Sequence, residues 1–155
     1  DPMASPGNYV KIEFPSVTAN VKFARTAAAV FAADHFEAFT IDEIDEIKVA
    51  VSEAVSNAIV HGYGHGGGLV RLILSTDGDS LVIAVEDDGK GIEDVDWALQ
   101  PTHTTSPDDH MGLGLVFISE YMNEVAIFSE PGKGTVVRMK KAPSRSRSGA
   151  AGKSR

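Results

Sequence analysis

The sequence predicts a single α+β domain, a two-layer sandwich with helices on one face of a mixed, mostly antiparallel sheet. Three observations carry that expectation. The chain has 155 residues, enough to bury one core and too few for two ordinary domains. Hydrophobic residues make up 43% and charged residues 23%, which is globular usage rather than that of a disordered or coiled-coil chain. Hydrophobic periods of 2 and 3.6 residues alternate in the order β-α-α-β-β-loop-α-β-β, a pattern that gathers the helices on one side of the sheet.

Residues 9–14 alternate apolar and polar side chains up to Pro15, the mark of a half-buried strand. From about Thr18 to Asp34 helix formers dominate, with Val21, Ala24, Ala28 and Phe31 facing the core and Lys22, Arg25, Ala29 and Ala32 on the other side. A second helix opens on the capping box Thr40-Ile-Asp-Glu43. It carries Ile44, Ile47, Val51, Ala54 and Ala58 at helical spacing and is expected to stop at Gly62. A glycine-rich connection leads to strands over 70–75 and 81–86, joined as a hairpin by Asp77-Gly78-Asp79. Residues 87–111 are broken by Gly and Pro and read as a long functional loop. A helix over about 112–122 and strands over 124–129 and 135–140 complete the unit.

Composition excludes several chemistries. The chain has no cysteine, so disulfides, a thiolate nucleophile and a Cys-rich zinc site are out, and the usage reads as cytoplasmic. No apolar run approaches the ~20 residues of a membrane span, and no membrane partner is expected. The net charge is −8, yet residues 140–155 carry Lys140, Lys141, Arg145, Arg147, Lys153 and Arg155 with no acid, leaving the body near −14. So acidic a body repels phosphate backbones, and direct nucleic-acid binding by the folded part is not expected. Residues 1–8 read as a scar (Asp1-Pro2 ahead of Met3) and a flexible N-terminus, 9–141 as the folded domain, and 142–155 as a disordered basic tail.

Three short motifs carry candidate chemistry. Glu53 and Asn57 stand one helical turn apart, a carboxylate and a carboxamide on one face that could take a proton and hold a divalent cation, or simply be a solvated pair. Asp87-Asp-Gly89-Lys-Gly91 follows a strand directly, so a carboxylate at the strand end could accept from an exocyclic amine beside glycines that let a flat ligand approach. Gly112-Leu113-Gly114 precedes a helix whose N–H groups could meet phosphate. The dinucleotide fingerprint is not matched, since Phe117 stands where its third glycine belongs, and no phosphate-binding Lys loop occurs.

Read together, these motifs resemble the ATPase superfamily shared by gyrase, the 90-kDa heat-shock chaperone, histidine kinases and the mismatch-repair ATPase. Within it the chain is similar to the anti-sigma-F factors of sporulating bacteria, small serine kinases. The residues that carry the resemblance are Glu53-Ala-Val-Ser-Asn57-Ala-Ile-Val-His61-Gly62-Tyr63, Asp87-Asp-Gly89-Lys-Gly91-Ile92, Gln100-Pro101 with Thr104-Thr105, Gly112-Leu-Gly114, and Gly132-Lys-Gly134-Thr135. The resemblance spans roughly residues 9–141 and implies a Bergerat-type ATP-binding fold.

Position by position, the resemblance implies that Asn57 is a Mg2+ ligand and Glu53 the base for a substrate hydroxyl. Asp87 would receive the adenine amine, with Gly89, Gly91 and Thr135 around it. Thr104 and Thr105 would lie in a lid over residues 100–111, and Gly112, Leu113 and Gly114 would meet the ATP phosphates, with ADP as product. Arg25 matches a first-helix arginine that contacts both the sigma factor and the anti-anti-sigma protein. A homodimer with bound ATP would then hold a sigma F type factor inactive, until the anti-anti-sigma protein displaces it and is phosphorylated on serine. The chain departs from the pattern in one respect: no Lys or Arg occurs between Lys90 and Lys133, whereas relatives usually carry basic residues in the lid. Neighbouring readings are a general-stress anti-sigma kinase, a histidine kinase ATPase domain, and a nucleotide-gated binding module without turnover.

Overall fold

A computed structural model of the chain describes residues 7–93 and 117–144. Its elements are β1 (Tyr9–Pro15), α1 (Ala19–His35), α2 (Ile41–Asn57), β2 (Leu69–Asp77), β3 (Ser80–Asp87), β4 (Glu124–Glu130) and β5 (Gly134–Lys141), with a π-helical turn at Ala58–Gly62. Residues 117–121 are helical as well, the described part of the helix expected over 112–122. The strands form one sheet in the order β1-β2-β3-β5-β4. All four described pairings are antiparallel, so the parallel pair that a mixed sheet admits is absent among them.

The register explains both the core and the site. Opposed residues of an antiparallel pair point to the same face, so alternate positions line up as rows across the sheet. One inner row is Val10, Leu74, Ile83, Met139 and Val125; the next is Ile12, Leu72, Val85, Val137 and Ile127. The third begins in the same way with Phe14 and Val70, then turns polar at Asp87, Thr135 and Ser129. The first two rows pack beneath the helices as core, and the third ends in a polar corner.

The capping box forms as expected: Thr40 Oγ1 accepts from Glu43 N at 3.1 Å, and Glu43 Oε1 accepts from Thr40 N at 2.9 Å. The buried arc of α1 is wider than one stripe. Ala32, expected on the outer side, is fully buried with Ala24 and Ala28, beside the buried Phe31, because α1 packs against both α2 and β2. The end of β5 is also better anchored than its composition implies. Lys141 is buried, pairing with Glu46 at 3.3 Å and donating to the Tyr121 carbonyl. Ala142 N donates to Asn123 Oδ1 at 2.7 Å and Ser144 N to Glu43 Oε2 at 2.8 Å, so packed chain continues into residues assigned to the tail. Burial opposes ionisation of Glu43, but hydrogen bonds from the Thr40 and Ser144 backbone hold its carboxyl below the usual value.

Candidate functional site

The site is built where α2 ends. Instead of closing at a glycine cap, the helix widens into the π-helical turn, with Tyr63 N bonding Ala58 O at 3.0 Å, an i→i+5 contact. That widening follows Asn57 directly and carries His61 and Gly62 against the end of β3. The Nδ2 of Asn57 is buried without a hydrogen-bond partner among the described residues. A buried amide group left open is costly unless something else meets it.

A narrow cavity opens beside it. Ala54 and Asn57 line it from α2, Ala58, His61 and Gly62 from the π-helical turn, Val85 and Asp87 from β3, Thr135 and Val137 from β5, and Gly91 and Ile92 from the loop after β3. Apolar walls with a few convergent polar groups suit a flat heterocycle bearing a donor. Asp87 is only 6% exposed. Its Oδ1 accepts from Gly89 N at 2.9 Å. Burial pushes the Asp87 carboxyl above the ordinary carboxylate range, while the Gly89 and Thr135 backbone bonds work in the other direction.

Two glycines of the Asp87–Gly91 motif are required by close approach to neighbouring backbone. A Cβ on Gly89 would lie 2.1 Å from Gly62 O, and Gly62 O itself accepts from Lys90 N at 2.9 Å. Gly91 has φ +79° and a Cβ there would lie 2.3 Å from Glu130 O, a position closed to any side chain. The loop is therefore pressed between the π-helical turn and the β4–β5 connection. A second clamp acts from the outer face: the Arg71 guanidinium forks onto Asp88 at 2.9 and 3.0 Å and reaches Glu86 at 2.9 Å. The pairing holds the Asp88 carboxyl below its usual value and raises Arg71. Tyr63 completes the clamp, its hydroxyl accepting from Asp88 N and donating to Leu69 O, both at 2.7 Å.

Of the residues singled out by sequence, Asn57, Asp87, Gly91 and Thr135 meet on one cavity, and Gly89 stands directly behind it. Glu53 lies one turn before Asn57 on α2, half-buried, with no ion-pair partner among the described residues and outside the cavity lining. Arg25 is half-buried on α1, away from the cavity, and is likewise unpaired among the described residues. Thr104, Thr105, Gly112, Leu113 and Gly114 lie outside the described residues. Sequence reasoning missed Ser129, whose Oγ lies 2.8 Å from Thr135 Oγ1. A signal existed: Ser129 falls in phase with inward Val125 and Ile127, where an apolar residue would continue the stripe.

Fold and cavity together define a class. The family model of the histidine kinase-like ATPase domain matches residues 14–141. A solved histidine kinase domain from Erythrobacter litoralis superposes with a TM-score of 0.54 at 24% identity, covering 87% of this chain and 64% of that one, a likeness of fold. More specific is the similarity to anti-sigma F factors. That of Thermoanaerobacter sp. is 44% identical over 135 residues, covering 86% of this chain and 93% of the relative. That of Caldanaerobacter subterraneus is 43% identical over 141 residues, covering 90% and 97%, and that of Clostridium kluyveri is 42% identical, covering 86% and 94%. The chain belongs to the anti-sigma F factor family of histidine kinase-like ATPases. A domain of this family is an ATP-binding one. No described helix is long and apolar enough to cross a membrane.

The buried acid gives a pH signature. A carboxyl whose folded value is raised contributes most to stability below its unfolded value near 3.8. That contribution is lost as pH rises through the folded value. Urea unfolding of the ligand-free protein is therefore expected to show wild type losing ground to Asp87→Asn as pH climbs from below 4 toward neutrality. A difference between the two that stays flat with pH would contradict the burial of this carboxylate.

Proposed function

We propose that this chain is an anti-sigma factor and ATP-dependent protein serine kinase of the cytoplasm. It holds a sigma factor of the sigma F type inactive and phosphorylates an anti-anti-sigma protein on serine. The observation that carries the reading is the convergence of Asn57 and Asp87 on one cavity at the end of the sheet, in a chain of this family.

The residues fit Mg2+ as well as nucleotide. The buried Asn57 Nδ2 lacks a partner among the described residues, which leaves the carboxamide to be met by a ligand; its Oδ1 is the atom that would take Mg2+, an ion that commonly binds one or two protein oxygens while phosphates and water supply the rest. The described residues include no cluster of three or more His, Asp or Glu that could hold a metal by themselves. Bound Mg2+ would supply charge neutralisation at the phosphates. Asp87 would accept from the adenine amine, and the Ala54, Val85, Val137 and Ile92 side chains would exclude water from the ring. Glu53 has no competing cation among the described residues and accepts the proton of the substrate serine. As the serine oxygen bonds to the γ-phosphorus, the bridging oxygen leaves with ADP. Arg25, on the helix packed against α2, is the docking residue for the two partner proteins in turn.

A homodimer belongs to the same reading. β1 is an edge strand whose outer face carries Tyr9, Lys11 and Glu13, all exposed. An antiparallel second copy centred on Ile12 sets each Lys11 opposite a Glu13, the cross-strand charge pairing that favours such a register. Beside it lies a groove lined by Val10, Ile12, Phe23 and Val30, and Phe23 and Val30 are each 54% exposed.

Transfer of labelled γ-phosphate from Mg-ATP to the anti-anti-sigma protein tests the enzyme. Glu53→Ala is expected to lower the rate by about 10²–10⁴-fold while nucleotide still binds, and Arg25→Ala to keep nucleotide binding and lose capture of the sigma factor. Tight ATP binding with no transfer by wild type would leave a nucleotide-gated binding module. Sedimentation velocity tests the dimer: Lys11→Glu sets like charges across the strands and is expected to shift the protein toward monomer, and an unchanged assembly would rule out this face.

A further inference from the structure

Ser129 ends the polar row that starts at Asp87, and its hydroxyl lies within hydrogen-bond distance of that of its neighbour Thr135. Ser129 Oγ accepts from Ile92 N at 2.7 Å, lies 3.1 Å from the Gly134 carbonyl oxygen and 2.8 Å from Thr135 Oγ1. A serine hydroxyl has one proton to donate and two lone pairs to receive. Ile92 N can only donate and the Gly134 carbonyl can only accept. All three contacts are met together in one arrangement, in which Ser129 donates to Gly134 and accepts from both Ile92 and Thr135. The opposite polarity gives the single Ser129 proton to Thr135 and drops the Gly134 bond. Thr135 thus uses its proton on Ser129 and meets the cavity with lone pairs alone. Asp87, its partner across β3 and β5, brings another acceptor to the same wall.

We propose that Ser129 is a specificity-setting positioning residue: by fixing Thr135 as an acceptor, it makes the Asp87–Thr135 side of the cavity acceptor-only, opposite the donor that Asn57 Nδ2 brings from α2. Where it faces the 6-position of a purine, such a wall takes an exocyclic amine and leaves a carbonyl unpaired. A carbonyl facing buried acceptors leaves lone pairs unpaired on both sides, a mismatch that hydrogen-bonding sites discriminate strongly against. Ser129 does this without lining the cavity itself. The inference rests on the nucleotide reading above and adds to it the residue that sets which base is read.

The test compares ATP with inosine triphosphate, which carries a carbonyl in place of the 6-amino group and a proton on N1, in calorimetric binding to the full chain. Wild type is expected to prefer ATP. Ser129→Ala frees the Thr135 hydroxyl to turn and donate, so the ATP preference is expected to fall by about tenfold. Ser129→Thr keeps the hydroxyl and is expected to keep the wild-type preference. Equal weakening of both nucleotides in Ser129→Ala, or an unchanged ratio, would reduce Ser129 to a tie between loops and overturn the proposal. Should Ser129→Ala fail to fold, Thr135→Val decides: an unchanged ratio there means that the row is not read at all. A wild type that binds neither nucleotide would instead remove the nucleotide reading itself.

Discussion

The burial of the Asp87 carboxylate at the end of β3 is the constraint on which the rest of the site depends. Removing a carboxylate from water is expensive unless donors meet it. Here the donors come from backbone that has to be brought unusually close. Gly62 and Gly89 make that approach possible: a Cβ on Gly62 would lie 2.8 Å from Asp87 Oδ1, and one on Gly89 would strike the Gly62 carbonyl. Arg71 and Tyr63 then fix Asp88, the residue in between, from the far side of the sheet. The carboxylate is held still and partly desolvated, which a protein tolerates when the group serves a ligand.

The sheet register distributes labour between core and site. Two complete inner rows bury Val, Leu, Ile and Met beneath α1 and α2, and only the row at one end turns polar. Asn57 is delivered to that end by α2, a helix whose start is fixed by the Thr40–Glu43 capping box and whose end is reshaped by the π-helical turn. Glu53 and Asn57 share α2 while Arg25 sits on α1 packed against it, so the residues proposed for nucleotide chemistry and for partner docking lie on adjacent helices of one small layer.

Local features were legible in the sequence for local reasons. The capping box, the Asp77–Asp79 hairpin turn and the strand periodicities each depend on residues a few positions apart, and all formed as read. Asn57, Asp87, Gly91 and Thr135 were legible as motifs, yet their meeting depends on register between strands far apart in sequence. The Arg71–Asp88 fork, the Tyr63 bridge and the Ser129 hydroxyl were not read, since each joins residues whose proximity exists only once the sheet has formed. The backbone contact of Gly89 was not read for a related reason: a glycine that admits a ligand and one that admits another backbone look alike in sequence. Ala32 was misplaced because one helical stripe was assumed where two neighbours bury a broader arc.

A crystal structure of the protein with Mg2+ and a non-hydrolysable ATP analogue addresses the central claim most directly. The account predicts the adenine amine within hydrogen-bonding distance of the Asp87 carboxylate, Thr135 beside it, and the Asn57 carboxamide oxygen on the metal. A nucleotide bound elsewhere, or in this cavity with its amine turned away from Asp87, would contradict it.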